Sequence, residues 1–132
     1  MRKFHCFQMP CPSFRGVFLL VLFLSTFGLL PAVAQCVFNG NLTFSNQQEV
    51  DDFKTNYPDC TVIEGEVTVH FSTVSNLNGL SNIEVIRGWL WLAGNLWLWN
   101  LDGLQALDTV GHLRIGGNQQ MYSISGLSGL KV

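Results

Sequence analysis

The sequence lacks most of the side-chain groupings on which enzymes and nucleic-acid-binding proteins are built. No Gly-rich loop leads into a helix as a phosphate site requires, and no Ser-His-Asp pattern with a nucleophile elbow is present. Cysteine is scarce, with four residues, and no His or further Cys stands at zinc-ligand spacing to the last two, Cys36 and Cys60. Basic charge is not in excess either. All nine acidic residues lie from Glu49 onward, and only Lys54, Arg87, Arg114 and Lys131 oppose them there, a balance of 4 − 9 = −5. That disfavours nucleic acid, whose phosphates need a basic face, and an electrostatic hold on anionic lipid. The adjacent Asp51 and Asp52 are not a catalytic pair, because neighbouring helix positions point in different directions.

The start of the chain is a targeting segment by its pattern. Arg2, Lys3 and Arg15 precede the apolar run Val17–Leu24, which continues to Leu30 and is followed by Pro31 and Ala32-Val33-Ala34. A basic start, an apolar stretch and an A-x-A site read as a secretory signal peptide over 1–34, cleaved after Ala34. Gly28 and Pro31 argue against a retained signal anchor; a lipidated Cys36 is the other alternative. The expected mature chain is 35–132, exported, secreted or at the cell surface, with no membrane span after cleavage. Its two cysteines, Cys36 and Cys60, most simply form a disulfide. Such a bridge contributes about 3–4 kcal/mol in the chain-entropy account. Asn41-Leu42-Thr43 is a glycosylation sequon, relevant only in a eukaryotic cell.

What the chain does contain is a repeat. Gly65-Glu66-Val67-Thr68-Val69, Gly88-Trp89-Leu90-Trp91-Leu92 and Gly111-His112-Leu113-Arg114-Ile115 are spaced by 23 residues. Each alternates like a half-buried strand. Asn95 and Asn118 stand seven residues after their glycines, with Ser72 in the first repeat. Then come Leu77-Asn78-Gly79-Leu80, Leu101-Asp102-Gly103-Leu104 and Ile124-Ser125-Gly126-Leu127. Period and pattern predict a mainly β fold, a short right-handed β-helix or leucine-rich-repeat-like solenoid. Its expected interior is Val67, Leu90 and Leu113; Val69, Leu92 and Ile115; and Leu80, Leu104 and Leu127. Asn95 and Asn118 are expected to form a ladder at the bend, satisfying backbone groups. Ser45-Asn46-Gln47-Gln48 reads as a capping box, with Ser45 as N-cap and Gln48 reaching back. Val50, Phe53 and Tyr57 then make one apolar stripe, and Pro58 ends the helix.

Cys36, the capped helix and Tyr57-Pro58-Asp59-Cys60-Thr61-Val62-Ile63-Glu64-Gly65-Glu66-Val67-Thr68-Val69 together resemble the opening of a receptor L domain. The Leu-Asn-Gly-Leu and Leu-Asp-Gly-Leu turns and Val110-Gly111-His112-Leu113 fit the same pattern, and the resemblance covers 36–132. That family includes the ligand-binding L domains of epidermal growth factor and insulin receptors and secreted or surface proteins of microbes. The resemblance implies a β-helix of few turns, a disulfide-linked N-terminal cap, and recognition without catalysis or cofactor. A family member would continue for further turns, whereas this chain stops at Leu130-Lys131-Val132 in mid-repeat, so the domain is expected to be incomplete at its C-terminus.

The candidate binding residues are those the alternation turns outward: Trp89, Trp91, His112 and Arg114 on the strands, and Trp97 and Trp99 beyond the bend. Leu98 is expected inside with Leu101. Arg114 over Trp91 would add about 0.5–1 kcal/mol of cation–π attraction. Exposed aromatic clusters mark interaction surfaces, so a protein or glycan ligand is expected; oligomeric state is not legible. A passive structural or adhesive surface protein is the alternative. A polysaccharide-acting enzyme is disfavoured, because the sheet face offers one carboxylate, Glu66, where glycoside hydrolysis needs two.

Overall fold

The computed structural model describes residues 35–131; the signal-peptide reading of 1–34 and the last residue, Val132, lie outside them. The described residues are mainly β: six strands in one parallel sheet and one α-helix. In chain order they are β1 (Cys36–Phe38), β2 (Leu42–Phe44), α1 (Gln47–Asn56), β3 (Cys60–Ile63), β4 (Val67–His70), β5 (Val85–Ala93) and β6 (Thr109–Gly116). Two 3₁₀ turns, Asn78–Leu80 and Ser125–Leu127, fall on repeated motifs.

The sheet is two parallel ladders set side by side. The first half of β5 pairs with β3 through Val62–Val85 and Ile63–Ile86. Its second half pairs with β4 through Val67–Leu90 and Val69–Leu92. β6 follows both halves, setting Val110 beside Ile86 and Leu113 beside Leu90. The register slips between Ile86 and Trp89, where Gly88 lies. A Cβ on Gly88 would approach the Gly65 carbonyl oxygen to 2.6 Å, and one on Gly111 would overlap the Arg87 carbonyl. The spaced glycines are therefore there because successive backbones touch at this bend.

Alternation then sorts the side chains. Val67, Val69, Leu90 and Leu92 are fully buried, together with Leu77, Leu80, Leu98, Leu101, Leu104 and Leu107 from the turns opposite. Leu113 departs from its expected place inside. It lies on the same face as Leu90 but is 38% exposed, because β6 has no strand beyond it among the described residues to cover it. Ile115 and Leu127 are only half-buried, at the same end.

At the bend after β5 the asparagine ladder is formed. Asn95 is fully buried. Its Nδ2 donates to the Val69 carbonyl at 2.8 Å, and its Oδ1 accepts from the Ser72 N–H at 3.2 Å and the Ser72 hydroxyl at 2.8 Å. Asn118 repeats the arrangement, accepting from the Asn95 N–H at 2.9 Å and donating to the Leu92 carbonyl at 2.9 Å. Each amide thus satisfies groups that a sharp bend would otherwise strand away from water.

α1 lies over the β2 end of the core with Val50 and Phe53 buried. Its cap is one residue later than the sequence suggested. Asn46 accepts from the Glu49 N–H at 3.1 Å, and the Glu49 carboxylate accepts from the Ser45 N–H at 2.7 Å. Both frames have capping-box spacing. The frame with a charged acceptor prevails because such hydrogen bonds are roughly twice as strong. Gln48 instead donates to Asp52 at 2.7 Å. Phe38, Phe44, Phe53 and Tyr57 pack around the stripe, with ring centroids 5.2–6.1 Å apart.

Two substitution pairs follow from these differences in burial, each read by urea unfolding. Leu90→Ala is expected to cost about 2–5 kcal/mol, and Leu113→Ala clearly less; equal losses would contradict the open end. Asn95→Ala strands several buried groups at about 1–3 kcal/mol each and is expected to exceed Asn118→Ala; a neutral Asn95→Ala would contradict the ladder.

Candidate functional site

The outer face of the second ladder is aromatic because Trp89 and Trp91 take two of the outward positions of β5 in that half, with Ala93 at the third. Trp89 pairs with His112 and Trp91 with Arg114 in register across β5 and β6, and Thr68 lies beside Trp91 on β4. The rings meet accordingly. Trp89 and His112 stack at 4.5 Å and 18°. The Arg114 guanidinium carbon lies 5.2 Å from the Trp91 ring centroid, and His70 packs on the same indole at 5.6 Å. Trp89 remains 42% exposed and Trp91 36%.

Trp97 and Trp99 lie on the irregular segment between Asn95 and the buried Leu101. Leu98 between them is fully buried and both indoles are exposed, 55% and 46%, as is Leu96 at 53%. Tyr122 joins them: its N–H donates to the Trp99 carbonyl at 3.0 Å, and its ring is 73% exposed. All six residues expected on the face are therefore exposed. Four form stacked pairs on the strands, and the other two indoles lie beyond the bend.

Sequence reading missed Phe71. It is 83% exposed and holds φ +46°, a left-handed conformation that costs a bulky residue roughly 1–3 kcal/mol. Its equivalents one and two repeats on are Gly94 at φ +68° and Gly117 at φ +65°. The Phe71 ring packs against His70 at 5.4 Å and occupies the space where a Cβ on Gly94 would stand. The signal was available: aligning His70-Phe71-Ser72 with Ala93-Gly94-Asn95 and Gly116-Gly117-Asn118 puts a phenylalanine in a glycine column.

The remaining named residues serve the scaffold. Asn41 is exposed, and its amide oxygen accepts from the Glu66 N–H at 2.9 Å, holding the start of β4. Cys36 and Cys60 pair across β1 and β3 but are two thiols in this structure, not the expected disulfide. Paired positions on adjacent strands lie about 4.8 Å apart, within the span that a disulfide bridges. Burial first, and then the neighbouring Cys36, push the Cys60 thiol from its ordinary 9 up to about 11. Among the described residues no three His, Cys, Asp or Glu side chains gather as a metal-holding group, and no helix is long and apolar enough to cross a membrane. Comparison with protein-family models, curated proteins and solved structures gave no match, so nothing in them bears on the receptor L-domain resemblance.

The cysteine pair sets a pH dependence. With its folded pKa raised, Cys60 stays protonated in the fold while the unfolded thiol ionises. The reduced protein is therefore expected to lose stability as pH rises from 9 to 11. Urea midpoints across that range check this; Cys60→Ser should flatten the decline, and an unchanged decline would assign it to other groups.

Proposed function

We propose that this chain is a secreted recognition module without catalytic activity, built as a short right-handed β-helical solenoid of the receptor L-domain kind. Its ligand, a protein or glycan, binds the outward face that carries Trp89, Trp91, Trp97, Trp99, His112 and Arg114. In the oxidising space to which the signal pattern directs it, Cys36 and Cys60 join and tether the cap.

The winding is supported by backbone hydrogen bonds that recur outside the paired strands. The Glu84 N–H donates to the Thr61 carbonyl at 2.8 Å, Asp108 to Glu84 at 2.9 Å, and Lys131 to Asp108 at 2.8 Å. That line of bonds climbs through successive repeats at the chain's own period, which is what stacked coils require.

The observation that carries the binding role is the concentration of exposed indoles on a single repeat, each 36–55% exposed, above a core in which Leu90, Leu92 and Leu98 are fully buried. An indole offers about 150–250 Å² of contact surface, and Trp is enriched where binding energy concentrates. Trp91 is held between Arg114 and His70, and Trp89 against His112, so these two are fixed in place before any ligand arrives. Among the described residues no ring stacks on Trp97 or Trp99, which makes them the more available pair.

The test is binding of the mature protein to arrays of glycans and of extracellular proteins, with the wild type beside Trp97→Ala/Trp99→Ala. A ligand held by the wild type is expected to bind the double variant at least about tenfold more weakly, a loss of 1.4 kcal/mol or more, with the unfolding midpoint unchanged. Equal binding by both proteins would reject the indole face. No ligand on either array would favour a passive surface role.

A further inference from the structure

Phe71 carries backbone strain that its place in the repeat does not demand. It holds φ +46° where the equivalent residues, Gly94 and Gly117, are glycines at φ +68° and +65°. Glycine takes that conformation without steric cost. The ring is not a core group either, being 83% exposed. It lies over the bare backbone of the next repeat, with a ring carbon 2.6 Å from where a Cβ on Gly94 would stand, three residues before Trp97. Strain of this kind clusters at ligand-binding sites.

The indoles that follow are uncovered although a repeat lies on each side of them. Asn76, Asn100 and Ser123 each accept the N–H two residues ahead, at 3.1, 3.0 and 3.2 Å. Ser75, Trp99 and Tyr122, which precede them, are therefore equivalent positions in three successive repeats. Between the bend and the next buried leucine, the second repeat is one residue longer than the first, and there Leu96 and Trp97 stand out at 53% and 55% exposure. Among the described residues no ring stacks on Trp97 or Trp99, whereas Trp91 carries Arg114 and His70, and Trp89 carries His112.

Charge is absent from this side of the molecule. Residues 71–83, 88–101 and 115–130 contain no Asp, Glu, Lys, Arg or His. Gln119 and Gln120 stand 23 residues on from Leu96 and Trp97, and among the described residues neither side chain is committed to a hydrogen bond. A charged ligand would be desolvated here without a partner. A purely apolar one would leave the glutamine amides unpaired. A neutral sugar meets both demands. The C–H face of a pyranose is weakly positive and stacks on the negative face of an aromatic ring. Its hydroxyls pair with side-chain amides, which both donate and accept.

We propose that the bend of the second repeat binds a neutral glycan chain, with Phe71, Trp97 and Trp99 as stacking platforms and Gln119 and Gln120 as hydroxyl partners. The inference rests on the recognition role proposed above and narrows it. The ligand is a sugar and not a protein, and it takes the unstacked indoles, whose faces are free, in preference to the strand pairs, whose faces are occupied.

The mature protein is titrated with cellohexaose, laminarihexaose, mannohexaose and chitohexaose, and with hexagalacturonate as the acidic counterpart, followed by tryptophan fluorescence and calorimetry. At least one neutral chain is expected to bind about tenfold or more tightly than the acidic one. Phe71→Gly installs the residue found at the equivalent positions, so its urea midpoint is expected to hold or rise while affinity falls at least about tenfold. Trp97→Ala should weaken binding as much. Failure of every neutral chain to bind, equal affinity for hexagalacturonate, or full affinity in Phe71→Gly would overturn the inference. A midpoint lowered by Phe71→Gly would make the ring a packing group and overturn its role. Binding to phosphatidylcholine vesicles through the same side chains would replace the sugar with a lipid surface. A protein captured from the array through Trp97 and Trp99, with no sugar bound, would overturn the glycan and leave the indole face standing. A neutral chain held equally well by Trp97→Ala/Trp99→Ala would sink both.

Discussion

A one-residue slip in the pairing of β4, β5 and β6 would turn Trp89 and Trp91 into the core and push Leu90 and Leu92 into water. Side chains alternate along a strand, so register decides at once what is buried and what is displayed. Everything about the candidate face depends on that choice. Burying two leucines is worth roughly 1.5–3 kcal/mol each. Two further devices hold the register. The glycines at 65, 88 and 111 let backbones touch at one bend, and a Cβ at either of the later two would collide with the repeat before it. At the other bend Asn95 bonds to the repeat on each side, through Ser72 and Asn118. A slipped strand would lose both.

The same constraint explains why the face is rigid. Trp91 and Trp89 each meet a partner from the next strand at a spacing fixed by the sheet, so Arg114 and His112 stack on them without any loop having to fold. The acidic residues are elsewhere, on α1, at the strand starts and on the turns; Glu66 alone shares the outer columns. A chain that is acidic as a whole therefore offers an aromatic surface whose charged groups are Arg114 and Glu66.

Much of this was legible in the sequence because it rests on period and alternation. Spacings of 23 residues gave the parallel register of Val67, Leu90 and Leu113, and alternation gave the outward indoles. The buried Leu98 between Trp97 and Trp99 was readable for the same reason. Three things were not. The helix cap moved from Ser45 to Asn46, because two overlapping frames have the right spacing and only the energy of a charged hydrogen bond separates them. Leu113 was expected inside, but pattern says which way a residue points and not whether anything covers it. Phe71 went unnoticed because its role depends on backbone angle, which the glycines of the later repeats disclose only once the repeats are aligned.

The register itself is open to direct measurement by nuclear Overhauser spectroscopy on the labelled mature protein. The account predicts backbone contacts joining Val67 to Leu90 and Leu90 to Leu113 in the pattern of parallel strands, with the Trp89 and His112 rings in contact across them. Contacts displaced by one residue, so that Trp89 rather than Leu90 shares the interior with Val67, or an antiparallel pattern between β5 and β6, would contradict it.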